Sequence, residues 1–214
     1  MKSCFLASHN PGKQREFSEI LEPLDWRLIQ SSEIGFADVP ETGRTFVENA
    51  LIKARAGAAH SRLPTLADDS GLVVPALNGD PGVYSARYAG DTANSDQNIN
   101  KLLQNMDQKT DRTAFFYCVL VFLQHADDPM PLIAQGCWSG QLTESPKGNG
   151  VFGYDPVFLT ESGKTAAELT PEEKHTISHR GQALRSLVRQ IEEMHSMLDR
   201  HASSRSAEMS EPSD

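Results

Sequence analysis

Pro64-Thr-Leu-Ala-Asp-Asp-Ser-Gly71 sets an apolar run directly before two adjacent carboxylates, Asp68 and Asp69, and follows them with a glycine. The run reads as a strand over 65–68, Gly71 is expected to turn the chain at once, and strand resumes over 71–74. Successive strand side chains point to opposite faces, so both carboxylates can share one site only where the strand ends. Buried carboxylates are costly unless they are paired or coordinate a metal. A hard cation such as magnesium takes oxygen ligands and keeps several waters, which suits work on phosphates. The same residues would also make an ordinary solvated turn, so the rest of the chain decides.

Working outward, Ser3 to Ala7 reads as a short strand, with Asn10 as N-cap and Pro11 as first residue of a helix carrying Phe17, Ile20, Leu21 and Leu24 and ending near Pro23. Thr45 and Glu48 form a capping-box pattern before a second helix. Its apolar face is read as Val47, Ala50, Leu51, Ala54 and Ala58, with Phe46, Asn49, Lys53 and Gly57 on a neighbouring stripe. Ser95 begins a shorter helix with Ile99, Leu102, Leu103 and Met106. TAFFYCVLVFLQ, 113–124, is the strongest strand signal, and His125 to Pro129 turns it into a second strand from Leu132 to Trp138, predicting an antiparallel hairpin. A Gly-rich loop from Gly148 to Asp155 precedes a short strand to Leu159. Ser178 caps a long helix whose Leu184, Leu187, Val188, Ile191, Met194 and Leu198 recur at helical spacing. Residues 1–198 read as one domain, and 199–214 as a tail expected to be disordered.

The chain has 214 residues, 38% of them hydrophobic, and a formal net charge of −9. That size can bury a core, and the acidic balance gives no general footprint for nucleic acid or anionic membrane. Cys4, Cys118 and Cys137 are widely spaced and odd in number, which reads as buried free thiols in a reducing compartment. No segment approaches the length of a membrane span, and Cys4 to Ala7 is too short for a signal peptide. The expectation is a cytoplasmic protein.

Three constellations carry chemistry. Ser8-His9-Asn10-Pro11-Gly12-Lys13 places polar side chains and a lysine at a helix N-terminus, where oriented N–H groups favour anions. The P-loop pattern is absent, which disfavours a P-loop hydrolase or kinase; an ordinary capped helix would look the same. Lys53, at the margin of an Ala-rich face, needs an anionic partner if its ammonium is buried, unless it snorkels to water. Glu41 and the aspartate pair are candidates. Phe152-Gly153-Tyr154-Asp155 joins Lys174 and His179-Arg180, two cationic side chains in the first turn after Ser178, where they oppose the helix dipole unless an electronegative ligand meets them.

Taken together these stretches resemble the inosine/xanthosine triphosphate pyrophosphatases. The resemblance covers Phe5 to about Leu198: SHNPGK at 8–13, ETGRTFVENALIKA at 41–54, LADDSGL at 66–72, GDPGVYSARYAG at 79–90, GVFGYDPVF at 150–158 and TAAELTPEEKHTISHRGQAL at 165–184. His9 stands where small residues are more usual. The resemblance implies an elongated two-lobed α/β fold, with a long twisted mixed sheet flanked by helices and a central nucleotide cleft. It further implies a homodimer and magnesium-dependent cleavage of a non-standard purine triphosphate (ITP, dITP or XTP) to monophosphate and pyrophosphate. Ser8 through Lys13 and Lys53 would bind the triphosphate. Glu41, Asp68 and Asp69 would handle magnesium, Asp69 would be the base for the attacking water, and Ser70 would touch substrate. Phe152, Gly153, Tyr154, Asp155, Lys174, His179 and Arg180 would surround base and sugar, with Arg180 and the amides of the last helix donating to the oxygen at purine position 6. A related pyrophosphatase for another modified nucleotide is the alternative, to be separated by a panel of triphosphates. A non-catalytic nucleotide binder is disfavoured, since binding alone needs no water-activating acid.

Overall fold

The computed structural model describes residues 2–21, 26–148 and 153–208. Strand β1 (Lys2–Leu6) leads into helix α1 (Pro11–Leu21), which Asn10 caps by accepting from the N–H groups of Gly12 and Lys13 at 3.0 and 3.2 Å. Pro23 and Leu24, and the side chain of Ile20, lie outside the described residues. Strand β2 (Trp26–Gln30) and the single turn α2 (Ser31–Ile34) follow, both too short for sequence periodicity to announce. Helix α3 (Phe46–Ser61) starts at the expected capping box, with Thr45 Oγ1 accepting from Glu48 N and the Glu48 carboxylate accepting from Thr45 N. Then come β3 (Thr65–Val73), a 3₁₀ turn over Gly82–Arg87, α4 (Ser95–Asn105), and the predicted hairpin β4 (Thr113–Leu123) and β5 (Leu132–Leu142). Strand β6 (Phe158–Leu159), α5 (Pro171–Ile177) and α6 (His179–Glu208) complete the order.

The strands form one mixed sheet in the order β2-β1-β3-β4-β5-β6. Strand β1 is parallel to β2 and β3, and every later pairing is antiparallel. Side-chain alternation divides the core. Leu66, Cys118, Leu120 and Ala134 face α1 and α6, while Ala67, Val119 and Val121 face α3. A third cluster fills the far end, where Leu72, Phe116 and Trp138 pack with Ile99 and Leu102 of α4. This is the expected class, a mixed α/β sheet with helices on both sides.

Four details differ from the sequence reading. The strand carrying the aspartates does not turn at Gly71; β3 runs unbroken to Val73, with Gly71 opposite Tyr117 of β4. Glycine is required there because a Cβ would lie 2.4 Å from Ser85 Oγ and 2.5 Å from the Gly82 carbonyl of the 3₁₀ turn. Helix α3 buries Phe46, Asn49 and Gly57 fully, and leaves Val47 and Leu51 half-buried, because its small residues let that side lie on the sheet. Cys137 is exposed, unlike Cys4 and Cys118, since alternation on β5 turns it away from α6, the helix that packs on that strand. Finally, α6 continues to Glu208, beyond Leu198, the last apolar position of the helical repeat. No helix among the described residues is long and apolar enough to cross a membrane.

Candidate active site

The site forms where β1 stops and β3 goes on. Strand β1 pairs with β3 only at Phe5–Thr65 and Leu6–Leu66, so β3 beyond Leu66 has β4 on one side and a crevice on the other. Chain leaving β1 turns through Ser8 to Asn10 and starts α1 beside that crevice. Asp68, Asp69 and Ser70 therefore sit at the carboxyl end of the parallel strands, the usual place for a ligand in an open α/β sheet. An uninterrupted strand separates the two carboxylates: Asp68 turns toward α1 and α6, and Asp69 toward α3.

Asp68, 1% exposed, meets Lys13 Nζ at 2.7 Å and accepts from Ser70 Oγ at 3.3 Å. Burial alone would raise its pKa, but Lys13, Arg180 and Lys53 outweigh it and hold the carboxyl below its ordinary value. Its Oδ1 is buried without a hydrogen-bond partner. On the other face Asp69 accepts from Asn49 Nδ2 at 3.1 Å and from its neighbour's Ser70 N–H at 3.0 Å, with Lys53 Nζ 3.8 Å away. Here burial wins over Lys53, and Glu41 adds to it, so the pKa is pushed up to about 6. Lys53 is paired with Glu41 at 2.5 Å, and Arg87 approaches the same glutamate at 3.8 Å. Burial works against the Lys53 charge, yet Asp68, Asp69 and Glu41 together keep its pKa raised. The partner that the sequence demanded for this lysine is present.

A cleft of about 460 Å³ opens above these groups, in the size range of small-molecule sites. Asn10, Lys13, Glu41 and Asp69 line one end, Gly153, Tyr154, Asp155, Lys174 and His179 line the other, and Ser70 and Arg180 meet between them. A smaller pocket of about 170 Å³ adjoins it, sharing Asn10, Lys13 and Glu41 and adding Ser8, His9 and Lys53. His9 is held by Asp38 and the Phe36 carbonyl, each at 2.6 Å. Pro11 and Gly12 belong to the first turn of α1 and line neither space. Phe152 lies outside the described residues.

At the far end Lys174 is bonded to the buried Asp155. His179 lies flat on Phe116, centroids 4.9 Å apart and planes 12° apart. Burial, then Arg180, Lys174 and Lys13, push the pKa of His179 well down, so it is neutral, and its Nδ1 is buried without a partner. Arg180 is 3% exposed, donates to Glu16 and, at 3.2 Å, to Ser70 Oγ, and keeps Nε unpartnered. Tyr154 Oη donates to the Ser85 carbonyl at 2.8 Å, tying the Gly-rich loop to the 3₁₀ turn.

The three carboxylates expected to handle a metal do not make one cage: among the described residues no three His, Cys, Asp or Glu side chains converge as metal ligands would. Strand alternation is the reason, since it sends Asp68 and Asp69 apart. Sequence reasoning also missed Glu16, Asn49, Arg87 and Phe116. Arg87 lay in plain view within GDPGVYSARYAG, a block that was given no role. Glu16, one helical turn after Lys13, needed only the helix period to be placed beside it.

Fold and crevice define the class, an α/β protein with a charged cleft at the end of its parallel strands, lined at one end by interleaved lysines and carboxylates and at the other by aromatic and ion-paired groups. Residues 4–190 match the Ham1 family. Over 191 residues the chain is 52% identical to a dITP/XTP pyrophosphatase of Pectobacterium atrosepticum and 50% identical to one of Escherichia coli, in each case 88% of this chain and 97% of the relative. It superposes on a Ham1 protein from Coxiella burnetii with a TM-score of 0.85 and 47% identity, covering 90% of this chain and 100% of that one. For the Ham1 protein of Staphylococcus aureus the values are 0.81 and 42%, with the same coverage. The chain belongs to the Ham1 family.

Proposed function

We propose that this protein hydrolyses non-standard purine nucleoside triphosphates, ITP, dITP and XTP, to the monophosphate and pyrophosphate, and so clears them from the nucleotide pool. The observation that carries the reading is the run Asp69–Lys53–Glu41–Arg87 at one end of a cleft whose other end holds Asp155–Lys174 and the stacked His179. Such a cleft suits a flat base at one end and a triphosphate at the other.

The residues fit magnesium as a cofactor. A hard cation that retains its waters needs only one or two carboxylates besides substrate phosphate, so the lack of a three-residue cage is no obstacle. Glu41 and Asp69, which share Lys53, would hold it. When bound, magnesium would neutralise charge on phosphate oxygens.

Lys13 and Lys53 bind the triphosphate and offset charge that develops on the leaving oxygen. Asp69 takes a proton from water. The water oxygen bonds to phosphorus, and the bridging P–O bond of the α–β anhydride breaks, its electron pair leaving with pyrophosphate. Its pKa of about 6 leaves Asp69 ionised at pH 7 and still basic enough to accept a proton. At the other end, the oxygen at purine position 6 meets donors of the first turn of α6, among them Arg180 Nε. Adenine presents an amino donor there, and donor facing donor is rejected.

The test is incubation with ITP and magnesium, followed by identification of the phosphate product. Pyrophosphate is expected; three orthophosphates, or loss of the terminal phosphate alone, would overturn the reading. Modified pyrimidine triphosphates in the same assay separate the related activity. We also infer a cytoplasmic homodimer from the family resemblance, which a monomeric mass in sedimentation equilibrium would rule out.

A further inference from the structure

Asn49 is a buried amide on a helix whose buried side is otherwise made of Phe46 and small residues. It is 0% exposed, lies one turn before Lys53, and belongs to none of the roles assigned above. Both ends of its side chain are engaged. Its Oδ1 accepts from the Gly43 N–H at 2.8 Å, and its Nδ2 donates to Asp69 Oδ2 at 3.1 Å. A buried carboxamide with both ends satisfied is a rigid strut, because losing either bond would leave a buried polar group unpaired.

This strut joins three separate pieces of chain. Gly43 belongs to the loop that carries Glu41, Asn49 and Lys53 belong to α3, and Asp69 belongs to β3. A Cβ on residue 43 would lie 2.5 Å from Glu48 Cβ and 2.7 Å from Asn49 Oδ1, so the loop can approach this closely only with glycine there. Asn49 also divides the labour of the Asp69 oxygens. With Oδ2 occupied by the amide, Oδ1 is the oxygen that faces Lys53 and takes the Ser70 N–H.

We infer that Asn49 is a positioning residue for the hydrolysis, holding Asp69 in one rotamer and setting the spacing between Asp69 and Glu41. It touches no substrate and acts through those two carboxylates. The inference rests on the proposed triphosphate hydrolysis.

Two readouts on the full chain test it. With ITP as substrate, Asn49→Ala should lower kcat by roughly 10- to 100-fold and move KM by less than about 2-fold, because alignment of the base is lost while the triphosphate lysines remain. In an Asp69→Asn background the same change should alter residual kcat by less than about 2-fold, since the group it positions is already gone. A kcat within about 3-fold of wild type, a parallel change in kcat and KM, or a full additional loss in the Asp69→Asn background would each overturn the inference. The second readout needs no activity. Asn49→Asp alone sets two carboxylates in contact and should lower Tm by several degrees, on the order of a lost buried hydrogen bond or more. Asn49→Asp combined with Asp69→Asn restores donor to acceptor in reverse and should recover most of that Tm; no recovery would sink the pairing itself. Wild type that fails to hydrolyse ITP while the swapped pair recovers Tm would instead count against the function and leave the contact standing.

Discussion

On the face of β3 turned to α1 and α6, Asp68 meets Lys13 at 2.7 Å and the field of Arg180, and its carboxyl is held below its ordinary pKa although it is almost wholly buried. On the opposite face Asp69 meets Lys53 only at 3.8 Å, shares it with Glu41, and is pushed up to about 6. These are neighbours in one strand, with similar burial. What differs is how close the cations lie: Asp68 has Lys13 in direct contact and the field of Arg180, while Asp69 has Lys53 only at 3.8 Å, drawn to Glu41, whose charge adds to the cost. A carboxylate with more positive charge than it needs is a fixed counterion. One with less holds its negative charge at a cost, and is ready to take a proton or a cation.

The largest effect should come from Asp69→Asn. Removing the proton acceptor should lower kcat by roughly 10²- to 10⁴-fold, and a variant keeping a tenth of the activity would mean that another group activates water. Stability should move the other way. A folded pKa raised from 3.8 to about 6 means that the native state binds more protons between those values, so its contribution to stability is full below pH 4 and is lost as pH rises through 6. The substitution removes that dependence. Without magnesium, the variant should gain on wild type between pH 4 and pH 7, by at most on the order of 3 kcal/mol. Urea unfolding at both pH values checks the sign.

Asp68→Asn should do the reverse. It leaves Lys13 without its buried carboxylate partner, while Arg180 keeps Glu16, at a cost of about 3–5 kcal/mol at pH 7. Because the folded pKa lies below the ordinary one, that stabilisation is present above about pH 4 and lost as pH falls, so the penalty of the substitution should shrink in acid. If both variants shifted stability in the same direction with pH, the contrast between the faces would be wrong.

Much of this was legible in the residues. The hairpin, the capped helices at Asn10 and Thr45, and the grouping of Lys13, Lys53 and the aspartates follow from local patterns that the fold does not override. What stayed hidden depends on contacts distant in sequence. Nothing local to LADDSGL reveals that β1 ends at Leu6 and leaves β3 open, or that Gly71 is there for the approach of Gly82 and Ser85 instead of for a turn. The sequence offers Arg180 as a donor to the base, but nothing near it shows that Glu16, 164 positions away, holds part of its guanidinium. Asn49 was visible only as one polar residue on a helix stripe, and its value appears when Gly43 and Asp69 close around it.

The lysines give an intermediate effect. Lys13→Ala and Lys53→Ala should each lower kcat/KM by roughly 10- to 100-fold, equally on ITP and ATP, because phosphates carry no information about the base. They should differ in where the deficit lands. Loss of Lys53 leaves Glu41 and Asp69 without their shared cation, which raises Asp69 further and moves the acidic limb of the rate profile to higher pH. Loss of Lys13 acts mainly on Asp68, which still has the field of Arg180, and as a smaller influence on Asp69 than Lys53 it should move that limb less. A change in the ranking of ITP and ATP would instead put that lysine at the base.

Ser70 touches both faces, and its hydroxyl offers the finest division between them. The Oγ donates to Asp68 Oδ2 at 3.3 Å and accepts from Arg180 at 3.2 Å, while the backbone N–H of the same residue donates to Asp69 Oδ1 at 3.0 Å. Ser70→Ala therefore removes only the link on the Asp68 side and keeps the one on the Asp69 side. Both lost bonds are long, and Lys13 remains on Asp68, so the expected cost is about 1 kcal/mol of stability. The pH dependence of kcat/KM should stay as in wild type, because the groups around Asp69 are unchanged. A fall in kcat of more than about 10-fold with Tm intact would assign the hydroxyl to substrate, as the family resemblance implies, and would make the bond to Asp68 one that substrate displaces.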